Sequence, residues 1–256
     1  MRRSRYVSTL NCVSELLDRR ARKKAQTREQ IRGVAHRLFD ERGFDEVTIA
    51  DVARAADVAV QTVFNHFATK EELFFDERGP QIDAPSTAIR SRDPETPPLT
   101  ALRDFLIDLC RTHLRSLADE SRRRYLATLL ASETLLTYER ELLIEAERRL
   151  AAALTEAWVE GDSSGGPVPA DPETAAALVS AMWCSAVRVL THTNRERLTA
   201  GACPDELARM VEDFAADLLG QLEFSASMTA GLSIPGRPAR GDGAATGWPH
   251  AVQRAG

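Results

Sequence analysis

The side chains best suited to chemistry in this sequence cluster between positions 60 and 66. Gln61 and Asn65 stand four residues apart, so on a helix they share one face. Glutamine and asparagine amides can pair with an adenine edge, threonine can contact several bases, and valine can contact the thymine methyl group. The pattern predicts DNA base contacts from Val60, Gln61, Thr62, Asn65 and His66.

Two short amphipathic segments position these side chains. One apolar stripe follows a capping pair made by Thr48 and Asp51, and a second follows a break at Asp57. Two short helices joined by a tight turn are typical of a helix-turn-helix, whose second helix enters the major groove. The first stripe comprises Ile49, Val52, Ala53 and Ala56, and the second comprises Val58, Val63 and Phe67.

Three further residues are placed to bind the DNA backbone. Thr48 and Thr69 stand at predicted helix N-termini, where free N–H groups and the helix dipole attract phosphate, and Lys70 adds a positive charge beside Thr69. Thr69 with Glu72 opens a fourth helix. His66 could instead ligate a metal, but no second ligand lies near it in sequence, so we expect no metal site.

A longer helix precedes this pair. Its apolar stripe begins after a capping box of Thr27 with Gln30 and ends at Gly43. Residues 1–37 hold 11 Lys/Arg against three acids, whereas the net charge of the whole chain is −5. This asymmetry predicts that one end meets a polyanion. The basic stretch from Arg19 to Lys24 is read either as a solvated tail or as a phosphate or minor-groove contact.

The run from Thr27 to Leu73 resembles the tetracycline-repressor (TetR) family. The similarity is carried by Glu41-Arg42-Gly43-Phe44, Thr48-Ile49-Ala50, Val52-Ala53 and Thr62-Val63-Phe64-Asn65-His66-Phe67-Ala68-Thr69-Lys70-Glu71-Glu72-Leu73. The resemblance implies a homodimeric repressor that binds a palindromic operator and is released by a small molecule held in C-terminal helices. It further implies that the recognition helix is Ala59 to Phe67, that Phe64 contacts the DNA backbone and that Lys70 binds phosphate.

Three positions depart from the family pattern. Asp57 replaces the usual turn glycine, which aspartate tolerates because it visits the left-handed region more readily than most residues. Ala59 replaces a capping serine, at a cost of about 1 kcal/mol. Phe64 replaces a tyrosine and so lacks a hydroxyl for phosphate.

The sequence after position 79 predicts an all-α second unit. Residues Gly79 to Pro98 contain five prolines and read as a linker or loop. Helical periodicity then covers four or five longer helices, among them one from about Tyr138 to Glu160 and one that is capped by Asp171 and ends near Thr191. The expected organisation is a basic, flexible extension (1–22), a helix-turn-helix domain (23–79), a linker (80–98), a helical effector-binding and dimerisation domain (99–224) and a disordered tail (225–256).

Polar and aromatic residues within the later helices are candidates for a small-molecule pocket. Residues of these types on apolar stripes belong to the core more often than they contact a ligand. The last two predicted helices are apolar enough to favour a homodimer. The pocket candidates are Phe105, His113, Tyr125, Trp158, Trp183 and Arg188.

Other classes of protein fit the sequence less well. Gly161 to Gly165 matches the G-x-S-x-G of hydrolases, but no strand precedes it, so we expect no enzyme. No cofactor motif is present. The four scattered cysteines and the lack of an uninterrupted apolar span favour a cytoplasmic protein. A DNA-binding architectural protein or co-regulator that takes no effector remains an alternative.

Overall fold

The computed structural model describes residues 4–76, 79–159, 168–199 and 201–228. These residues form ten helices and no strand, which confirms the all-α prediction. The helices are α1 (Ser4–Arg42), α2 (Ile49–Ala55), α3 (Val60–Phe64), α4 (Lys70–Phe75), α5 (Gly79–Arg90), α6 (Pro98–Ser116), α7 (Glu120–Leu130), α8 (Glu133–Val159), α9 (Pro172–Thr199) and α10 (Pro204–Met228).

The first helix is much longer than the sequence predicted. Helix α1 begins at Ser4, so residues 4–22 are helical where the sequence predicted a flexible extension, and the predicted helix start at Thr27 was wrong. The Thr27 hydroxyl donates to the Lys23 carbonyl at 3.0 Å within the helix, and the Gln30 amide donates to the Ala56 carbonyl at 2.9 Å. No glycine or proline interrupts residues 4–32, so nothing in this stretch stops the helix.

The turns around the two short helices follow the predicted chemistry. Gly43 ends α1 with a φ of 85°, and Asp57 adopts the expected left-handed conformation with a φ of 54°. Thr48 and Asp51 form a reciprocal capping box on α2. Ala59 gives α3 no side-chain cap. These features confirm the local predictions for the end of α1, the cap of α2, the turn at Asp57 and the uncapped start of α3.

The predicted linker over residues 80–98 is largely helical. Helix α5 spans Gly79–Arg90 and contains Pro85, so only the short segment 91–97 between α5 and α6 lies outside helices. The helix packs against α6 and α8 and buries Ile89 completely. This packing outweighs the backbone hydrogen bond that an internal proline removes, a tertiary effect that local sequence does not reveal.

The remaining helices extend further than predicted. Helix α8 begins at Glu133 rather than near Tyr138, and α9 continues to Thr199 rather than ending near Thr191. Helix α10 runs to Met228, so residues 225–228 are helical rather than part of the expected tail. The rest of that tail lies outside the described residues, as does the Gly161 to Gly165 segment.

Two clusters of buried apolar residues hold the helices together. The first joins α1–α4 to α6, α7 and the adjoining parts of α8, α9 and α10, through residues such as Phe39, Phe74, Leu114 and Leu129. The second lies among α5, α6, α8, α9 and α10 and includes Leu102, Trp158 and Trp183. The helix-turn-helix region therefore shares one apolar core with helices α6–α10 and is not an independent unit joined to them only by a linker.

Helix α9 is the most apolar of the long helices. Its Pro172–Arg195 stretch is long and apolar enough to cross a membrane by length and composition alone, whereas the sequence reading expected it to fall short. The helix packs against α6, α8 and α10 and buries Ala176, Val179 and Trp183. These contacts are those of a core helix, and one apolar stripe of α9 stays exposed.

Candidate nucleic-acid interface

Helix α3 presents its predicted contact residues outwards. Val63 is fully buried and Phe67, just beyond the helix, is 1% exposed, so these two anchor α3 to the domain. Val60 is 42% and Phe64 46% exposed, and Gln61 and Asn65 are exposed beside them. Large apolar side chains held in solvent within such a small domain indicate a contact surface.

The two amides on this surface hold each other in place. The Gln61 side chain donates from Nε2 to Oδ1 of Asn65 at 3.1 Å. This bond leaves the Oε1 acceptor of Gln61 and the amide donors of Asn65 to meet a base edge. An adenine presents one donor and one acceptor in the major groove, which is the complement of this pair.

Thr62 and His66 are less accessible than predicted. Both side chains are half-buried, and among the described residues Nδ1 of His66 has no hydrogen-bond partner. Burial lowers the pKa of His66 below its usual 6.5, and the nearby Arg28 and Lys24 lower it further. The imidazole therefore favours its neutral form, and base contacts from these two residues stay a prediction.

Arg28 of α1 fixes the direction of α3, a role that sequence reasoning missed. Its guanidinium pairs with Asp76 and donates to the carbonyl of His66. It also lies 4.1 Å from the centre of the Phe67 ring. One side chain thus ties α1 to the ends of α3 and α4. No local signal could have identified it, because Asp76 lies 48 residues away in sequence.

Lys70 braces the loop before α2. Its ammonium donates to the carbonyls of Phe44 and Val47, both at 3.0 Å, and lies 4.2 Å from the centre of the Phe44 ring. An ammonium has three N–H donors, and these two carbonyls accept from two of them. Lys70 therefore has a structural role in addition to the predicted phosphate contact.

Both threonines that were predicted to contact the DNA backbone use their hydroxyl groups to cap helices. The Thr48 hydroxyl donates to Asp51 at 2.6 Å, and the Thr69 hydroxyl accepts the Glu72 N–H at 3.0 Å. Hydrogen bonds from Thr48 lower the pKa of Asp51 and so favour its charged form. Because Asp51 lies in the first turn of α2, the N-terminus of this helix already has a negative charge beside it. Phosphate contacts by the two threonines stay predictions.

The six pocket candidates do not converge on one site. Phe105, Trp158 and Trp183 belong to or pack on the second cluster. Tyr125 packs on the first cluster and stacks on Phe74 with 4.4 Å between ring centres. His113 lies half-buried on α6 and Arg188 is exposed on α9. Only the second cluster thus brings several candidates together.

A buried ion pair between α8 and α9 escaped the sequence reading. Arg195 donates through both terminal nitrogens to the carboxylate of Glu139, at 2.9 and 3.1 Å. The two side chains are only 4% and 5% exposed. His192 lies on the same carboxylate, with 3.8 Å from Nε2 to Oε2. This polar cluster fixes the register of the two longest C-terminal helices.

Comparison with known proteins identifies the N-terminal region. Residues 31–76 match the family model described as bacterial regulatory proteins, tetR family. The HTH-type transcriptional regulator AcrR of Shigella flexneri is 29% identical over 136 residues, which are 52% of this chain and 61% of AcrR. The matched region therefore spans less than two thirds of that relative.

Solved structures share the fold of the chain. Native NalD of Pseudomonas aeruginosa, a secondary repressor of the MexAB-OprM multidrug efflux pump, aligns with a TM-score of 0.50 and 22% identity over 75% of this chain and 95% of NalD. The complex of SmeT with triclosan aligns with a TM-score of 0.50 and 22% identity, over 75% of this chain and 91% of SmeT. SmeT is the repressor of the Stenotrophomonas maltophilia multidrug efflux pump SmeDEF.

Proposed function

Because residues 31–76 match the tetR family of bacterial regulatory proteins, we propose that the chain is a cytoplasmic transcriptional regulator of this family that represses genes from a palindromic operator. The observation that carries this proposal is the outer surface of α3. Val60, Gln61, Phe64 and Asn65 are exposed there, on a helix that is anchored from below by Val63 and Phe67. The sequence similarity of this chain to the transcriptional regulator AcrR supports a regulatory role.

A homodimer through α9 and α10 would supply the second recognition helix. Apolar side chains lie exposed along both helices, and Leu178 and Phe214 are 60% and 58% exposed. Exposed apolar surface of this kind marks a protein–protein interface. In the dimer, the two α3 helices would enter major grooves about 34 to 36 Å apart. The other large exposed apolar side chains on these two helices are Met182, Val189, Met210 and Phe224.

The second cluster is the better placed of the two for a small-molecule effector. Ser180 and Trp183 lie on the inner face of α9 and are fully buried. Among the described residues, Ser180 Oγ and Trp183 Nε1 have no hydrogen-bond partner. Unsatisfied polar atoms in an apolar core are rare and need a partner. An apolar ligand with its own polar groups would satisfy them and release the DNA by favouring another α3 spacing.

The test begins with selection of a binding site by the protein itself. The purified protein is used to select duplexes from a random-sequence library. Its binding to the most enriched duplex is then measured by fluorescence anisotropy, with excess unrelated duplex as competitor. Saturable binding to an inverted repeat that survives the competitor supports the proposal. Binding that the competitor abolishes would contradict a sequence-specific regulator and favour the architectural alternative.

Effector release is tested separately on the same complex. A library of small apolar compounds is screened for loss of anisotropy, and each hit is checked for a thermal shift of the free protein, because ligands that bind only the folded state raise its melting temperature. Replacing Ser180 with alanine should weaken the binding of a true effector without changing the affinity of the protein for DNA. Hits that are insensitive to that replacement would place the pocket elsewhere.

A further inference from the structure

The part of α1 that precedes the family match carries a dense positive charge. Five of the six residues from Arg19 to Lys24 are basic, and all six are exposed. The stretch belongs to the same uninterrupted helix as the core residues Ile31 and Phe39. Its charges therefore keep a fixed direction relative to the recognition surface, unlike those of a loose tail.

One face of this helix leads directly from α3. Arg20, Lys24 and Arg28 follow at intervals of four residues, so they lie along one side of α1. Arg28 donates to the carbonyl of His66 at the end of α3. The charge of Lys24, one turn earlier, also acts on His66. Arg20 and Lys24 thus extend the basic surface outwards from the end of the recognition helix.

This surface is long enough to span several DNA phosphates. With a rise of 1.5 Å per residue, Lys24 lies about 6 Å and Arg20 about 12 Å beyond Arg28 along the helix axis. B-DNA carries one negative charge per about 1.7 Å of its own axis. Arg28 itself is held by Asp76, so the two outer residues supply the accessible charge on this face.

We propose that Arg20 and Lys24 bind backbone phosphates that flank the sequence read by α3, so that α1 lengthens the DNA contact of each protomer. The inference rests on the proposed DNA-binding function. Contacts of this kind position the protein and strengthen binding without reading bases. The expected consequence is a protein that needs duplex DNA on either side of its recognition sequence for full affinity.

The chain offers a matched control for this proposal. At 100° per residue, Arg22 points away from both Arg20 and Lys24, and Arg19 points about 100° to 140° from them. The double variants Arg20→Gln/Lys24→Gln and Arg19→Gln/Arg22→Gln therefore remove two charges each from the same helix, on different faces. Glutamine is a good helix former, and far-ultraviolet circular dichroism checks that α1 persists in both.

The experiment compares two duplexes that share the library-selected sequence, one trimmed to it and one with ten additional base pairs at each end. Anisotropy titrations in increasing KCl give affinity and its salt dependence. On the longer duplex, Arg20→Gln/Lys24→Gln should flatten the slope of log K against log salt by about 1.8 per protomer, at about 0.9 for each lost phosphate. Arg19→Gln/Arg22→Gln should change it much less, and the trimmed duplex should reduce the difference between the variants.

Each result has one meaning. Equal losses in the two double variants would show general charge attraction and overturn the face-specific contact, and unchanged binding in both would overturn it too. Loss confined to Arg20→Gln/Lys24→Gln on the longer duplex supports it. If the wild-type protein selects no preferred sequence, the proposed function itself is wrong. That result is obtained before any variant is made.

Discussion

At the scale of single residues, the direction of α3 depends on very few side chains. A helix of five residues is far too short to be stable alone, and Ala59 gives it no side-chain cap. Burial of Val63 and Phe67 holds its inner face, and Arg28 ties its end to α1. The outer residues can therefore contact DNA without contributing to the fold.

The two amides on α3 should determine sequence preference. Replacing Gln61 or Asn65 with alanine removes a group able to pair with a base edge, which should weaken specific binding by about 1 to 3 kcal/mol. The measurement is anisotropy on the selected duplex and on a scrambled duplex of the same length. Affinity for the scrambled duplex is the internal control and should stay unchanged. Equal loss on both would assign these residues to backbone contacts.

His66 should make the stability of the domain depend on pH. Burial and the nearby Arg28 and Lys24 lower its pKa in the folded state below 6.5, so the unfolded chain binds the proton more readily. The stability contributed by the neutral ring is present above the unfolded pKa and is lost as pH falls through the folded pKa. Melting temperatures of the wild type and of His66→Gln between pH 7.5 and 5 should diverge, with the wild type falling more steeply. Parallel curves would contradict a half-buried imidazole that favours its neutral form.

At the scale of elements, the ion pair between α8 and α9 is the clearest polar contact in the helical body. Helix α9 is apolar around most of its circumference, so apolar packing alone leaves its register against α8 weakly specified. The bidentate contact of Arg195 with Glu139 has a single geometry. A buried pair of this kind contributes less to net stability than to the choice of one arrangement.

Breaking this pair on one side should destabilise the fold strongly. Glu139→Gln leaves the Arg195 guanidinium buried without its counter-charge, at a cost of about 3 to 5 kcal/mol. The measurement is urea unfolding followed by circular dichroism. The double variant Glu139→Leu/Arg195→Met removes both charges and should recover much of the loss. A double variant as unstable as the single one would show that packing volume, not the unpaired charge, is decisive.

At the scale of the whole molecule, α6 joins the DNA-binding half to the pocket candidates. Leu102 and Leu106 near its start belong to the second cluster, whereas Cys110 and Leu114 further along belong to the first. A ligand that shifts α6 within the second cluster would therefore also move residues that share the first cluster with α1 and α4. Packed helices with two discrete arrangements are a common route for such coupling.

The exposed apolar surface of α9 and α10 should hold two protomers together. Phe214→Glu places a charge within that surface and should convert the dimer to a monomer, as measured by sedimentation equilibrium. Ile144 of α8 is also apolar and is 67% exposed, so Ile144→Glu is the matched control and should remain dimeric. Circular dichroism distinguishes dissociation from unfolding. A dimeric Phe214→Glu variant would place the interface elsewhere.

The sequence by itself determined the features that depend on neighbours in the chain. The capping box of Thr48 with Asp51, the left-handed turn at Asp57 and the cap at Thr69 involve groups within a few residues of each other. Helical periodicity in the second half gave the fold class for the same reason. Together these signals were enough to place the helix-turn-helix and to predict that Val60, Gln61 and Asn65 face outwards, whereas Thr62 and His66 are half-buried.

Only the tertiary structure decided which distant residues meet. Arg28 with Asp76 and Glu139 with Arg195 are separated by 48 and 56 positions, and no local pattern marks such partners. The helix over Gly79–Arg90 forms against proline propensity because its contacts with α6 and α8 lie far along the chain. The division of the pocket candidates between two clusters has the same origin. Side-chain burial depends on the packing of all the helices at once, which periodicity within one helix does not contain.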